Sequence, residues 1–139
     1  MIEVQHILVP VAGSAVDDEA LQLACSLAKK NKAKIRVVYV ILLKRSLPVD
    51  AEVDTEINRG ETILDHAESL ADELDCSVET DLLQARDAGP TIIDEVKDHN
   101  VDLIIMGIQY KRRLGQFSLG DVVPYVLKNA PCRVILYQQ

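Results

Sequence analysis

The chain has 139 residues, 48% of them hydrophobic and 27% charged, with a formal net charge of -7. That is the size of one ordinary domain with enough apolar surface to offset its ordering entropy, so disordered, collagen-like and low-complexity classes are excluded. The longest apolar run, residues 37–43, falls far short of the roughly 18 to 20 residues a membrane-spanning helix needs, and an acidic whole argues against general nucleic-acid binding.

The first apolar, β-branched segment, residues 6–11, ends at Ala12-Gly13-Ser14 and reads as a buried strand. Ser14 followed by Asp17 has the spacing of a capping box. Ala20, Leu23, Ala24, Leu27 and Ala28 then recur at helical intervals up to Lys29-Lys30-Asn31, which predicts an amphipathic helix. A second strand is expected over 35–41, followed by a loop containing Pro48. Between Asp50 and Asp81 stand twelve acids and one base, Arg59, while Ile63, Ala67, Leu70 and Leu74 keep helical spacing, so these charges are read as the solvent face of a long helix. A third strand is expected over 78–84. Gly89-Pro90 opens a short helix carrying Ile92, Ile93 and Val96. Residues 102–107 read as a fourth buried strand, followed by a loop of about a dozen residues and a helix from near Gly120-Asp121 through Val126-Leu127. Asn129-Ala130-Pro131 ends it, and residues 132–137 form a final strand.

Strands with near-continuous apolar runs alternating with helices predict an α/β fold, a doubly wound five-stranded parallel sheet in the order 3-2-1-4-5 with helices on both faces, as a single domain over residues 1–139. A ligand in such a fold sits beyond the carboxyl ends of the strands where the winding reverses. The segments expected there are Ala12-Gly13-Ser14, the turn after Val40, and the stretch from Gly107 to Gly120.

These segments together resemble the universal stress protein family, of adenine-nucleotide α-hydrolase-like fold. Ile7-Leu8-Val9-Pro10-Val11-Ala12-Gly13-Ser14 is similar to the family's opening strand and turn, Val37-Val38-Tyr39-Val40 to its second strand, and Asp102-Leu103-Ile104-Ile105-Met106-Gly107, with Gly120 and Val126-Leu127 through the segment from Ala130 to Leu136, to its carboxyl-terminal block. The resemblance implies a nucleotide site at Val11, Ala12, Gly13, Ser14, Val40, Gly107, Tyr110, Lys111, Arg112, Arg113, Gly120, Asp121 and Val122. ATP-binding members carry a Gly-x2-Gly-x9-Gly-Ser/Thr loop, in which glycines let the backbone approach phosphates and a hydroxyl donates to them. Here Tyr110 stands at the second glycine, Asp121 at the hydroxyl position, and Ala12 at the position of an aspartate that contacts the ribose side. A carboxylate about 5 Å from a phosphate charge costs roughly 3 kcal/mol at an effective dielectric near 20, about a hundredfold in affinity. Lys111-Arg112-Arg113 offers compensating cations in the same loop.

The reading is therefore a non-enzymatic, cytoplasmic, dimeric regulatory module of the stress response whose ATP-binding loop is degenerate, with no certain cofactor and ATP or AMP as the candidates. The alternative is a working adenine-nucleotide sensor or slow ATPase that uses Lys111, Arg112 and Arg113. Dimerisation is expected along Arg133-Val134-Ile135-Leu136-Tyr137, an apolar edge strand that needs cover. A regulatory protein or transporter is a further partner in this reading, with no nucleic acid and no membrane insertion. No nucleophile elbow or Walker lysine-serine pair suggests catalysis, the scattered Cys25, Cys76 and Cys132 are read as small buried hydrophobes, and no metal-ligand spacing is visible.

Overall fold

A computed structural model describes residues 3–109, 111–113, 116–118 and 121–138. The first strand, β1 (His6–Pro10), has its three central residues fully buried, which is why its sequence is apolar without alternation. Helix α1 (Val16–Asn31) follows, with Asp17, Asp18 and Glu19 in its first turn and Lys29 and Lys30 in its last, each sign at the dipole end that favours it. Then come β2 (Lys34–Leu42), α2 (Asp54–Glu73), β3 (Val78–Ala85), α3 (Ala88–Asp98) and β4 (Leu103–Ile108). Two short strands, β5 (Lys111–Arg113) and β6 (Gln116–Ser118), precede α4 (Val122–Asn129) and the last strand, β7 (Arg133–Gln138).

The main sheet is parallel throughout, in the order β3-β2-β1-β4-β7, which is the expected 3-2-1-4-5 with β7 as its fifth strand. Val9 and Ile104 accordingly lie on adjacent strands, with Leu8 opposite Ile104. Helices α1 and α2 cover one face over Ile7, Val9, Val37, Ile105 and Leu64; α3 and α4 cover the other over Leu8, Val38, Ile104, Ile92 and Val126. Each fully buried Leu, Ile or Val contributes about 1.5 to 3 kcal/mol relative to exposure. The acids Glu61, Asp65, Glu68, Asp72 and Glu73 of α2 are exposed while Leu64, Ala67 and Ala71 are buried, so the acidic stretch is a solvated helix face.

Three expectations are corrected. The segment after β4 is more than a loop: β5 and β6 pair antiparallel, with Arg112 opposite Phe117. The cap of α1 is Ala15, and the Ser14 side chain makes no capping bond, because the carboxylate of Asp17 reaches back to the preceding amides instead. Cys25 alone of the three cysteines is buried, Cys76 and Cys132 being partly exposed.

The connection from β2 to α2 is fastened to the end of β3. Gln84 Nε2 donates to the carbonyls of Val49 and Ala51, and the Arg86 guanidinium donates to those of Lys44 and Leu47.

Candidate functional site

Strand β1 runs through α1 to β2 on one side, while the chain returns through α3 to β4 on the other, so the carboxyl ends of β1 and β4 open a crevice between them. A cavity of about 450 Å³ occupies this position, within the range of small-molecule sites. Its walls are mostly apolar. Val38, Val40 and Leu42 come from β2, Met106 and Ile108 from β4, Ala88 and Ile92 from α3, and Val122 and Val123 from α4. Its polar groups are few and include Tyr39, Glu56, Asp17 and Gln109.

Of the residues expected from the sequence, Val11, Ala12, Val40, Gly107 and Val122 line this cavity together. Gly13 and Ser14 line a neighbouring groove between α1 and α2, which Val11 and Asp17 also border. Lys111, Arg112 and Arg113 form the backbone of β5. Tyr110 and Gly120 lie outside the described residues. Asp121 is the exposed N-terminal boundary of α4 and makes no side-chain capping bond.

The turn after β1 is built around a single carboxylate oxygen. Asp17 Oδ2 accepts the backbone N–H groups of Ala12, Gly13 and Ser14 at 2.9, 2.8 and 3.1 Å. Gly13 makes this possible: its φ of +91° is open to glycine and strained for other residues, and it turns three successive amides toward one point. Such a cluster of amides is an anion nest, and the protein fills it with its own side chain. Asp17 is the one buried charged residue among those described. Burial pushes its carboxyl above the ordinary aspartate value, the three amides pull it back, and the Asp18 charge adds to the rise.

Gly107 has a different role from the one its loop pattern suggests. A Cβ there would stand 3.0 Å from the carbonyl oxygen of Val16, so this glycine lets β4 pass close beneath the first turn of α1.

Sequence reasoning missed Asp17 as a site residue, as well as Tyr39, Leu42 and Glu56. The spacing of Asp17 from Ser14 was the available signal, since it marked a carboxylate directed at local amides. It also missed a contact across the α1–α2 groove, where His66 Nε2 lies 3.0 Å from Asp18 Oδ1. No hydrogen bond joins His66 to Ser14, and the Thr62 hydroxyl donates to the Asn58 carbonyl, so the pair activates neither hydroxyl. Burial, then the adjacent Cys76 thiol, push the Cys25 thiol up to about 12, which disfavours its thiolate.

The sheet order, the helices on both faces and the crevice at the reversal define a doubly wound α/β protein. The family model of the universal stress protein family matches residues 3–138, and the chain belongs to this family. It is 29% identical over 141 residues to the universal stress protein MJ0531 of Methanocaldococcus jannaschii, spanning 97% of this chain and 82% of that protein. Its fold matches that of the universal stress protein from Archaeoglobus fulgidus in complex with dAMP, with a TM-score of 0.77 and 21% identity over 97% of this chain and 98% of that one. It also matches a universal stress protein family protein from Arabidopsis thaliana with AMP bound, with a TM-score of 0.67 and 18% identity over 97% of this chain and 92% of that one.

Proposed function

We propose that this chain is a dimeric, non-catalytic regulatory module of the stress response, acting in the cytoplasm as a single domain, whose crevice takes an adenosine moiety weakly and disfavours a polyphosphate. One observation carries this reading: the three amides of the Ala12–Ser14 turn, which would otherwise meet an anion, are occupied by Asp17. Asp121, at the start of α4, adds a second carboxylate where the family's ATP-binding members carry a hydroxyl. The apolar walls from Val38, Val40, Ile92 and Met106 suit a flat purine, and the relatives with dAMP and AMP support a monophosphate as the candidate ligand. Ala12 leaves the ribose without a carboxylate partner at that position, at a cost of about 1 kcal/mol. For the dimer, the support is that β7 pairs on one side only, with β4, while Val134, Ile135, Leu136 and Tyr137 remain partly exposed. Pairing two copies along 133–137 covers that edge with two-fold symmetry. A regulatory protein or transporter is the partner such a module would serve.

Titration calorimetry with adenosine, AMP and ATP, at low and high salt, tests the reading. Adenosine and AMP are expected to bind with similar weak affinity and ATP no more tightly. ATP binding that exceeds AMP binding and falls steeply with salt would instead favour the sensor or slow ATPase using Lys111–Arg113. No binding at millimolar concentration would leave the partner-binding role alone.

A further inference from the structure

On the sheet face covered by α3, Arg36 of β2 holds two acids of β3. Its Nη2 lies 2.6 Å from Glu79 Oε2 and its Nη1 donates to Asp81 Oδ2. Facing Asp81, α3 presents Glu95, and one turn later His99 stands at the end of that helix. One donor atom from each of Asp81, Glu95 and His99 lies within 4.8 Å of the others, and His99 Nε2 is 3.5 Å from Glu95 Oε2. Glu95 is the group that demands an explanation. Its side chain is only 12% exposed, and Oε2 is buried without a hydrogen-bond partner, a situation native structures rarely leave unanswered. Three carboxylates, those of Glu79, Asp81 and Glu95, gather here around one guanidinium. Burial, followed by the Asp81 charge, holds the Glu95 carboxyl above its ordinary range.

We propose that Asp81, Glu95 and His99 form a binding site for a divalent first-row transition-metal ion of the zinc type, which ties β3 to α3. Two carboxylates and an imidazole are a mixed oxygen and nitrogen set, which favours such an ion over magnesium or calcium. The i,i+4 spacing of Glu95 and His99 places both on one face of α3. Donors on a tetrahedral ion at bonds of about 2.0 to 2.1 Å stand about 3.4 Å apart, so modest side-chain rotations close the set. Arg36 occupies only one oxygen of Asp81, which leaves the other for the ion. A cavity of about 150 Å³ bordered by His6, Lys34, Arg36, Glu79 and His99 adjoins the cluster on its His99 side. Asp81, Glu95 and His99 do not line the crevice; Glu95 and His99 lie three and seven residues beyond Ile92, the last residue of α3 in the crevice wall, about 4.5 and 10.5 Å along the helix axis.

The test uses the full chain stripped of metal and titrated with Co²⁺, then Zn²⁺. One equivalent of Co²⁺ is expected to bind with visible d–d bands and no thiolate charge-transfer band, and Zn²⁺ to displace it. Zn²⁺ at a hundredfold excess over its Kd should raise Tm by about 5 to 10 °C. His99→Asn and Glu95→Gln, checked for folding by circular dichroism, should each weaken Co²⁺ binding by about tenfold or more. His66→Asn, which alters the histidine beside Asp18, should leave it unchanged. Failure of the unmodified chain to bind either ion at millimolar concentration overturns the proposal without reliance on any variant. So does a thiolate band, or affinity that survives both the His99→Asn and Glu95→Gln changes.

Discussion

Replacing Asp17 by alanine tests the most specific structural claim about the crevice. The substitution removes the common acceptor of three N–H groups, each a charge-assisted bond in the range of about 1.5 to 3 kcal/mol when isolated. Two terms reduce that sum. The buried carboxylate carries a desolvation cost that alanine relieves, and Ala12 and Gly13 are exposed, so their amides can turn to water. A net loss of about 2 kcal/mol remains. With about 2.1 cal/mol/K of unfolding entropy per residue, a chain of 139 residues has about 0.29 kcal/mol/K, so Tm should fall by about 7 °C. The same variant frees the amide nest, so AMP affinity should rise by about tenfold while adenosine affinity stays level. Asp17→Asn, which keeps an oxygen acceptor, should lose about half as much stability. The pH dependence has a definite sign. Because the folded carboxyl lies above the ordinary value of 3.8, the folded state takes up its proton first, and wild type should gain stability relative to Asp17→Asn as pH falls through the raised value toward 3.8. Calorimetric unfolding measures all of this. A Tm for Asp17→Ala within about 1 °C of wild type would refute the assignment of the turn to this carboxylate.

Three further outcomes follow from particular contacts. Asp121→Ser combined with Tyr110→Gly should raise ATP affinity by about tenfold in titration calorimetry, since an exposed carboxylate is partly screened by water and its removal recovers less than the full Coulomb term; unchanged affinity would acquit Asp121. Ile135→Asp should convert a dimer to a monomer in light scattering, because the β7 edge would bury an unpaired charge, and an unaltered mass would place the seam elsewhere. Gly107→Ala should cost about 1 to 3 kcal/mol in denaturant unfolding, because its Cβ meets the backbone of Val16, which cannot rotate away; a midpoint equal to wild type would show that β4 and α1 tolerate separation.

The sheet order was legible because parallel strands covered on both faces must be apolar at successive positions, as Ile7, Leu8 and Val9 are, and because right-handed crossovers leave few ways to connect them. The crevice position followed from the same reasoning. What fills its polar end did not. The spacing of Ser14 and Asp17 announces a bond between side chain and backbone, but which amides are used depends on the positive φ of Gly13, a conformation and not a spacing. Arg36, Glu79 and Asp81 meet because β2 and β3 pair with Arg36 opposite Glu79, and no interval along the chain encodes that register. Glu95 and His99 were four apart in plain view, yet their third companion comes from another strand. Cys25 and Cys76 similarly approach through the packing of α1 and the end of α2, despite standing far apart in sequence.

The clasp that Gln84 and Arg86 place on the β2–α2 connection has a thermodynamic consequence for whatever enters the crevice. Leu42 and Glu56, on either side of that connection, both border the cavity, so this part of the mouth is set by four backbone carbonyls already engaged before a ligand arrives. Association then requires little loss of loop freedom on this side, and even a weak ligand should bind with fast, single-step kinetics. Cutting the fastening with Arg86→Ala should show itself first as a slower approach to equilibrium and a more unfavourable binding entropy, with the apolar walls and the heat-capacity change of binding left as they were.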